Sequence, residues 1–143
     1  MKVQRIEVLN NKYRYLLIDN NFEVVDSVKR YLKYLDNIGR QHNTLKSYAY
    51  HLKIYFEYLE SIELKFDEIS SDGNNPLEIL GNYASWLENP VLIQEKISYI
   101  TPPEAKRKSS TINIMIDTVR FCCKVFQKIY FSVKLRKKTE RTE

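Results

Sequence analysis

Glycine, cysteine and histidine are scarce in this chain: three, two and two among 143 residues. Three glycines cannot build a Gly-rich phosphate cradle, and neither a dinucleotide fingerprint nor a G-x-S-x-G elbow is present. His42 and His51 do not stand at metal-ligand spacing, and no cysteine-rich segment partners them. Cys122 and Cys123 are adjacent in an apolar segment and point in different directions on a helix. That arrangement suits plain core thiols in a reducing compartment, not a ligand pair or a mutual disulfide. No apolar run is long enough to span a bilayer, and the first residues lack the apolar stretch of a signal peptide. The expectation is a cytoplasmic protein with no membrane partner. Carboxylates such as Asp67 and Glu68 read as solvated loop charges. No catalytic constellation is visible, and no cofactor or metal is expected.

What is present is enough apolar material for an ordinary core, 43% hydrophobic and 13% aromatic, in a chain of single-domain size. The net charge of +5 is unevenly spread. Residues 1–60 carry ten basic and seven acidic side chains, residues 61–104 two and eight, and residues 105–143 eleven and three. Positive charge therefore gathers at the C-terminal end, with smaller clusters at Lys29, Arg30 and Lys33 and from Arg40 to Lys46. A polarised basic face suits a polyanion, although a solvated helix surface alone produces the same pattern.

Along the chain, residues 3–9 and 12–19 favour strands about Asn10 and Asn11, which tolerate the positive φ of a tight turn; a β-hairpin is expected. Residues 24–38 repeat apolar groups at Val24, Val28, Tyr31, Leu35 and Ile38, a helical period that stops at Gly39. Residues 44–61 carry the clearest helical stripe, Leu45, Tyr48, Leu52, Phe56 and Leu59, with Asn43 or Thr44 placed to cap it. Pro76 opens a shorter helix marked by Leu77, Leu80, Ala84 and Leu87, on which Trp86 reads as a packing residue. Residues 89–108 form a long connection containing three prolines, within which LIQEKISYI is long enough for a short element. Residues 111–130 make the last strong helix through Ile112, Ile116, Val119, Cys123, Phe126 and Tyr130. The charged tail from residue 134 is expected to fray.

Two of these helices open alike. One start reads RQHNTLKS from Arg40, the other KRKSSTIN from Lys106. Each combines hydroxyl or amide side chains, cations and the beginning of an apolar stripe. A helix N-terminus presents unpaired N–H groups and the positive end of its dipole, which phosphate favours. A helix entering the major groove shows its first turns to base edges. Lys46, Ser47, Tyr50 and Lys53 are spaced to project from one side of the first helix. Ser110, Thr111, Asn113, Ile114 and Asp117 are spaced to do so from the second. Ordinary capping by Asn43, Thr44, Ser109 and Ser110 is compatible with phosphate contact.

Four segments in order, VVDSVKRYLKYLDNIG, HNTLKSYAYHLKIYFEYLE, LGNYASWLENP and SSTINIMIDTVRFCCKVF, resemble the core-binding domain of the phage-integrase or tyrosine recombinase family. Thr44, Tyr48, Leu52, Phe56 and Leu59 follow the family pattern in the second segment, and Thr111, Ile112 and Asn113 follow it in the fourth. The resemblance covers about residues 20–130. It implies a mainly α fold, a SAM-like four-helix bundle over residues 21–132, preceded here by a hairpin extension at 1–20 and followed by a charged tail at 133–143. It implies a clamp on double-stranded DNA at a core recombination site, with other recombinase subunits as possible neighbours on the DNA. Thr44, Lys46, Ser47 and Tyr50 would contact DNA from one helix, and Arg107, Lys108, Ser110, Thr111 and Asn113 from the other. Arg40, Asn43, Lys53, Lys106 and Ile114 complete the candidate set.

Two departures from the family pattern stand out. Relatives often carry basic residues just after the Asn, where Ile114 and Met115 stand here; Ile114 is suited instead to a thymine methyl. The family's Arg, Lys, His-x-x-Arg and nucleophilic Tyr belong to a following catalytic domain and are not found before Glu143. The chain is therefore read as a non-catalytic fragment of a recombinase that cuts DNA through a phosphotyrosyl link. Two other classes compete: a helical protein–protein interaction domain, and a regulator that reads DNA without recombining it. The second rival requires a compact helix-turn-helix, which the two candidate DNA helices, about fifty residues apart, do not form.

Overall fold

The computed structural model describes residues 1–69, 73–88 and 107–140, the last of these as backbone alone beyond Gln127. The molecule is mainly helical, with a two-stranded antiparallel hairpin at its N-terminus. The described elements are β1 (Lys2–Val8), β2 (Lys12–Ile18), α1 (Asp26–Asn37), α2 (His42–Ser61), α3 (Pro76–Glu88) and α4 (Ser109–Glu140), with a short 3-10 turn at Phe66–Glu68. No described helix is long and apolar enough to cross a membrane. The chain divides into two compact units: Met1–Lys53 with Thr118–Glu143, and Ile54–Asp117.

In the first unit the hairpin turns at Asn10 and Asn11, both at positive φ (72° and 57°) as the sequence leads one to expect. Val8 lies opposite Lys12 and Lys2 opposite Ile18. A two-stranded hairpin is marginal alone. This one is tied to the chain leading into α1: Val25 N–H donates to the Leu17 carbonyl at 2.9 Å, and Ile18 bridges to Val24. Leu17 is fully buried, and Arg14 pairs with Asp36 of α1 at 3.4 Å. The buried face of α1 is Val28, Tyr31, Leu32 and Leu35. Val24 and Ile38, placed at the ends of the sequence stripe, are exposed because the helix runs only from Asp26 to Asn37.

Gly39 ends α1 in the left-handed region at φ +82°. There the Gly39 N–H donates to the Asp36 carbonyl and the Arg40 N–H to the Leu35 carbonyl, both at 3.0 Å. This is a Schellman closure, which a Cβ would strain. It brings the chain from α1 to α2 in four residues, 38–41. A helix-turn-helix-length connection therefore exists, contrary to the expectation that none would, although it joins α1 to α2 and not the two candidate DNA helices.

The second unit is organised around an aromatic cluster. Fully buried Tyr83 lies 5.0 Å from Tyr55, 5.2 Å from Tyr58 and 6.2 Å from Trp86 between ring centroids, and Phe56 stacks on Phe66 at 5.1 Å. Trp86 is a packing residue, as read. Helix α3 starts where Pro76 marks it. Asn75 caps the start: its side-chain oxygen accepts the Leu77 N–H at 3.1 Å and its carbonyl the Ile79 N–H at 3.1 Å. Leu77 is corrected: it is 80% exposed, because the buried stripe of α3 runs through Tyr83, Trp86 and Leu87.

Two further boundaries differ from the sequence reading. Helix α2 begins at His42, so Asn43 and Thr44 fall inside its first turn and Gln41, whose carbonyl accepts the Leu45 N–H at 3.1 Å, holds the capping position. Helix α4 runs to Glu140, so the backbone of the charged tail is helical through that residue instead of frayed. The buried stripe of α4 is also rotated from the expected one: Ile112, Met115, Thr118, Val119 and Cys122 are buried, whereas Ile116, Cys123 and Phe126 are half-buried. Burial raises the pKa of both thiols, that of Cys123 to about 11, so neither is a ready nucleophile. The segments 70–72 and 89–106, including LIQEKISYI, lie outside the described residues, as do 141–143.

Two predictions follow from this packing. Tyr83→Ala should lower unfolding free energy by about 3–5 kcal/mol, whereas Leu77→Ala should change it by no more than about 0.5 kcal/mol, as measured by urea denaturation. Buried Thr118 lies 3.3 Å from Nδ1 of His51, and burial lowers the imidazole's pKa below its usual 6.5. Between that lowered value and 6.5 the unfolded chain binds more protons than the folded one. Stability should therefore fall as pH drops through about 6.5, and His51→Gln should flatten that part of the urea-midpoint profile.

Candidate nucleic-acid interface

The first candidate start is built by the turn that Gly39 closes. Arg40 emerges from it exposed, followed by exposed Gln41, His42 and Asn43. The N–H groups of His42, Asn43 and Thr44 have no acceptor within the helix, since the first helical bond is that of Leu45 to Gln41. Burial of Leu45, Ala49 and Leu52 fixes the rotation of α2 about its axis. Lys46, Ser47 and Tyr50 are accordingly turned to solvent, while Thr44 and Lys53 are half-buried. Six of the seven sequence candidates here, Arg40, Asn43, Lys46, Ser47, Tyr50 and Thr44, thus occupy the opening turns or the turn before them, and Lys53 lies one turn further on.

The second start is assembled the same way. Ile112 N–H donates to the Lys108 carbonyl at 3.1 Å, leaving the N–H groups of Ser109, Ser110 and Thr111 without helical acceptors. Ile112 and Met115 point inward, so Lys108, Ser110, Thr111 and Asn113 are exposed, and Ile114 is 54% exposed. Arg107 is different. It is half-buried, one guanidinium nitrogen is enclosed, and its charge acts on Tyr83. Burial raises the Tyr83 phenol's pKa and the guanidinium partly offsets the rise. Neither that nitrogen nor the Tyr83 hydroxyl has a hydrogen-bond partner among the described residues. Lys106 lies outside the described residues. The first start belongs to the Met1–Lys53 unit and the second to the Ile54–Asp117 unit.

These two surfaces share a chemistry: free backbone donors at a positive helix end, short hydroxyl and amide side chains, and lysines on flexible stems. They are equipped to hold oxyanions and to present donors to base edges. Among the described residues no group of His, Cys, Asp and Glu is placed to hold a metal ion.

Sequence reading did not find a cleft of about 510 Å³ in the first unit, lined by Tyr31, Tyr34, Tyr48 and Phe121 with Arg40 and Lys124. Its aromatic residues fall on α1, α2 and α4, elements whose pairing no local period reveals. The one available signal was Tyr34 and Phe121 lying off the apolar stripes of their helices.

The chain is similar to transposase A from transposon Tn554 of Staphylococcus aureus strain Mu50 / ATCC 700699 and to the same protein of strain N315. Each is 35% identical over 120 residues, which are 83% of this chain and 31% of the relative. The chain thus spans about a third of the length of the curated relatives it matches. No family model matches it, and no solved structure does.

Exposed candidates can be removed without disturbing packing. Asn113→Ala and Ser47→Ala should each shift unfolding free energy by less than about 0.5 kcal/mol. A calorimetric loss well above that would mean these residues serve the fold and not a ligand.

Proposed function

We propose that this chain is the DNA-binding module of a tyrosine-type site-specific recombinase, a SAM-like core-binding domain that grips one face of duplex DNA at the core recombination site. The observation that carries the reading is the pair of solvent-facing helix starts, at His42 of α2 and Ser109 of α4, each flanked by lysine and rotated outward by its own buried stripe. Similarity to a transposon transposase supports a role in DNA recombination. The parent polypeptide would cleave and rejoin DNA, with strand cleavage carried out by residues outside this chain.

In this reading the module contributes position. Lys46 and Lys108 neutralise phosphates, the unpaired N–H groups of the first turns hold backbone oxygens, and Tyr50, Asn113 and Ile114 approach base edges. Asn113 is suited to adenine N6 and N7, and Ile114 to a thymine methyl. Arg107, half-buried beside Tyr83, anchors the second start to its own unit more than it reaches outward. A regulator that binds DNA without recombining it would use the same surface; the four-residue connection between α1 and α2 is the observation that favours it.

Affinity for duplex DNA should fall steeply with salt. The double variant Lys46→Ala, Lys108→Ala should weaken binding to all sequences roughly tenfold at low salt. It should also make the plot of log affinity against log salt shallower by about two. Mobility shifts at several salt concentrations measure both quantities. Unchanged affinity and slope in that variant would remove this surface from consideration.

A further inference from the structure

The five residues after β2 form a closed turn keyed on Asp19. Its backbone N–H donates to the Glu23 carbonyl at 2.9 Å, and its carbonyl accepts the Phe22 N–H at 3.2 Å. Its side-chain oxygen accepts the N–H groups of Asn21 at 2.8 Å and Glu23 at 2.9 Å. Within this frame Phe22 sits at φ +63°, a left-handed conformation that is costly for a bulky residue. Its side chain is 91% exposed. The turn thus spends backbone strain and four hydrogen bonds on an aromatic knob that touches almost nothing in its own molecule. Glu23, exposed beside it, makes the surroundings of the knob acidic.

The same unit carries the complementary shape. The cleft of about 510 Å³ is walled by Tyr31, Tyr34, Tyr48 and Phe121, and Arg40 and Lys124 stand among its lining residues. Lys124 Nζ lies 5.9 Å from the centroid of the Phe121 ring, and that ring is 56% exposed. An aromatic anchor next to a carboxylate meets an aromatic wall next to two cations. We propose that the cleft takes Phe22 of a second copy of this chain, with Glu23 of that copy facing Arg40 and Lys124.

The other exposed apolar residues fit less well. Leu9 is 87% exposed at the hairpin tip, but it offers no ring to stack on the tyrosines, and Glu7 and Lys12 on either side of it give no net charge to match the cations of the cleft. Leu77 has Glu78 beside it, yet it offers no ring to stack on the tyrosines. Because knob and cleft are different patches, the contact is head-to-tail: each copy donates one and receives one. One side chain and its rim bury much less than the roughly 1,200 Å² of a stable interface, so the association is weak, with a dissociation constant on the order of 0.1–1 mM. It does not rest on the DNA reading, since Phe22 and Phe121 lie outside that surface, and Arg40 is the one residue common to the two.

Sedimentation equilibrium of the full chain across a concentration range reaching the millimolar tests the proposal. The weight-average mass of the wild type should rise with concentration, and Phe22→Ala and Phe121→Ala should each return it to the monomer. An equimolar mixture of the two variants should recover dimers but nothing larger, because one retains the cleft and the other the knob. Leu77→Ala should associate as the wild type does. Lys124→Glu should weaken association about tenfold or more, and adding Glu23→Lys should restore it, a pair that keeps the test valid should Phe121→Ala perturb folding. A wild type that stays monomeric throughout overturns the proposal. So does association that survives Phe22→Ala, or a mixture of the two alanine variants that fails to dimerise.

Discussion

Burial of one apolar stripe along α2 is the constraint from which the rest follows. Leu45, Ala49 and Leu52 are buried in the first unit, and Tyr55, Phe56 and Leu59 continue the same stripe in the second. A helix held in this way at every turn has no freedom to rotate about its axis. Lys46, Ser47 and Tyr50 face water because their neighbours in sequence cannot. Helix α4 obeys the same logic: Ile112, Met115, Val119 and Cys122 turn inward, and Thr111, Asn113 and Asp117 are left outside. The candidate interface is thus the polar remainder of two well-packed helices and needs no specialised scaffold.

Much of this was legible in the sequence because it is local. The paired asparagines of the hairpin, Gly39 after an apolar period and Pro76 before one each dictate a backbone conformation without reference to distant residues. Rotational phase was harder. The choice of Ile116 and Cys123 over Met115 and Cys122 for the buried face of α4, and of Leu77 for that of α3, shows that hydrophobicity alone leaves a helix face uncertain by about one residue. Tertiary packing decides such cases, and it admitted Thr118 because its hydroxyl meets His51. The half-buried setting of Arg107 was illegible for the same reason: its companion Tyr83 is 24 positions away in sequence.

The molecule carries two surfaces with different chemistry. Helix starts rich in N–H groups, hydroxyls and lysines suit a uniform polyanion. The Phe22 knob and the tyrosine-lined cleft suit an aromatic contact with a carboxylate and two cations at its rim. Arg40 stands at the junction of the two, exposed at the entry to α2 and part of the cleft lining. Occupancy of one surface is therefore placed to influence the other through a single guanidinium. The relatives the chain matches are nearly three times its length.

The central claim of the proposed reading is that the helix starts at His42 and Ser109 contact duplex DNA. Amide chemical-shift mapping during titration with a duplex at low salt tests it most directly. The account requires the resonances of residues 42–50 and those of residues 108–114 to move, while those of β1 and α3 stay in place. Shifts confined to one of the two starts, or centred on the acidic turn at Phe66–Glu68, would contradict it.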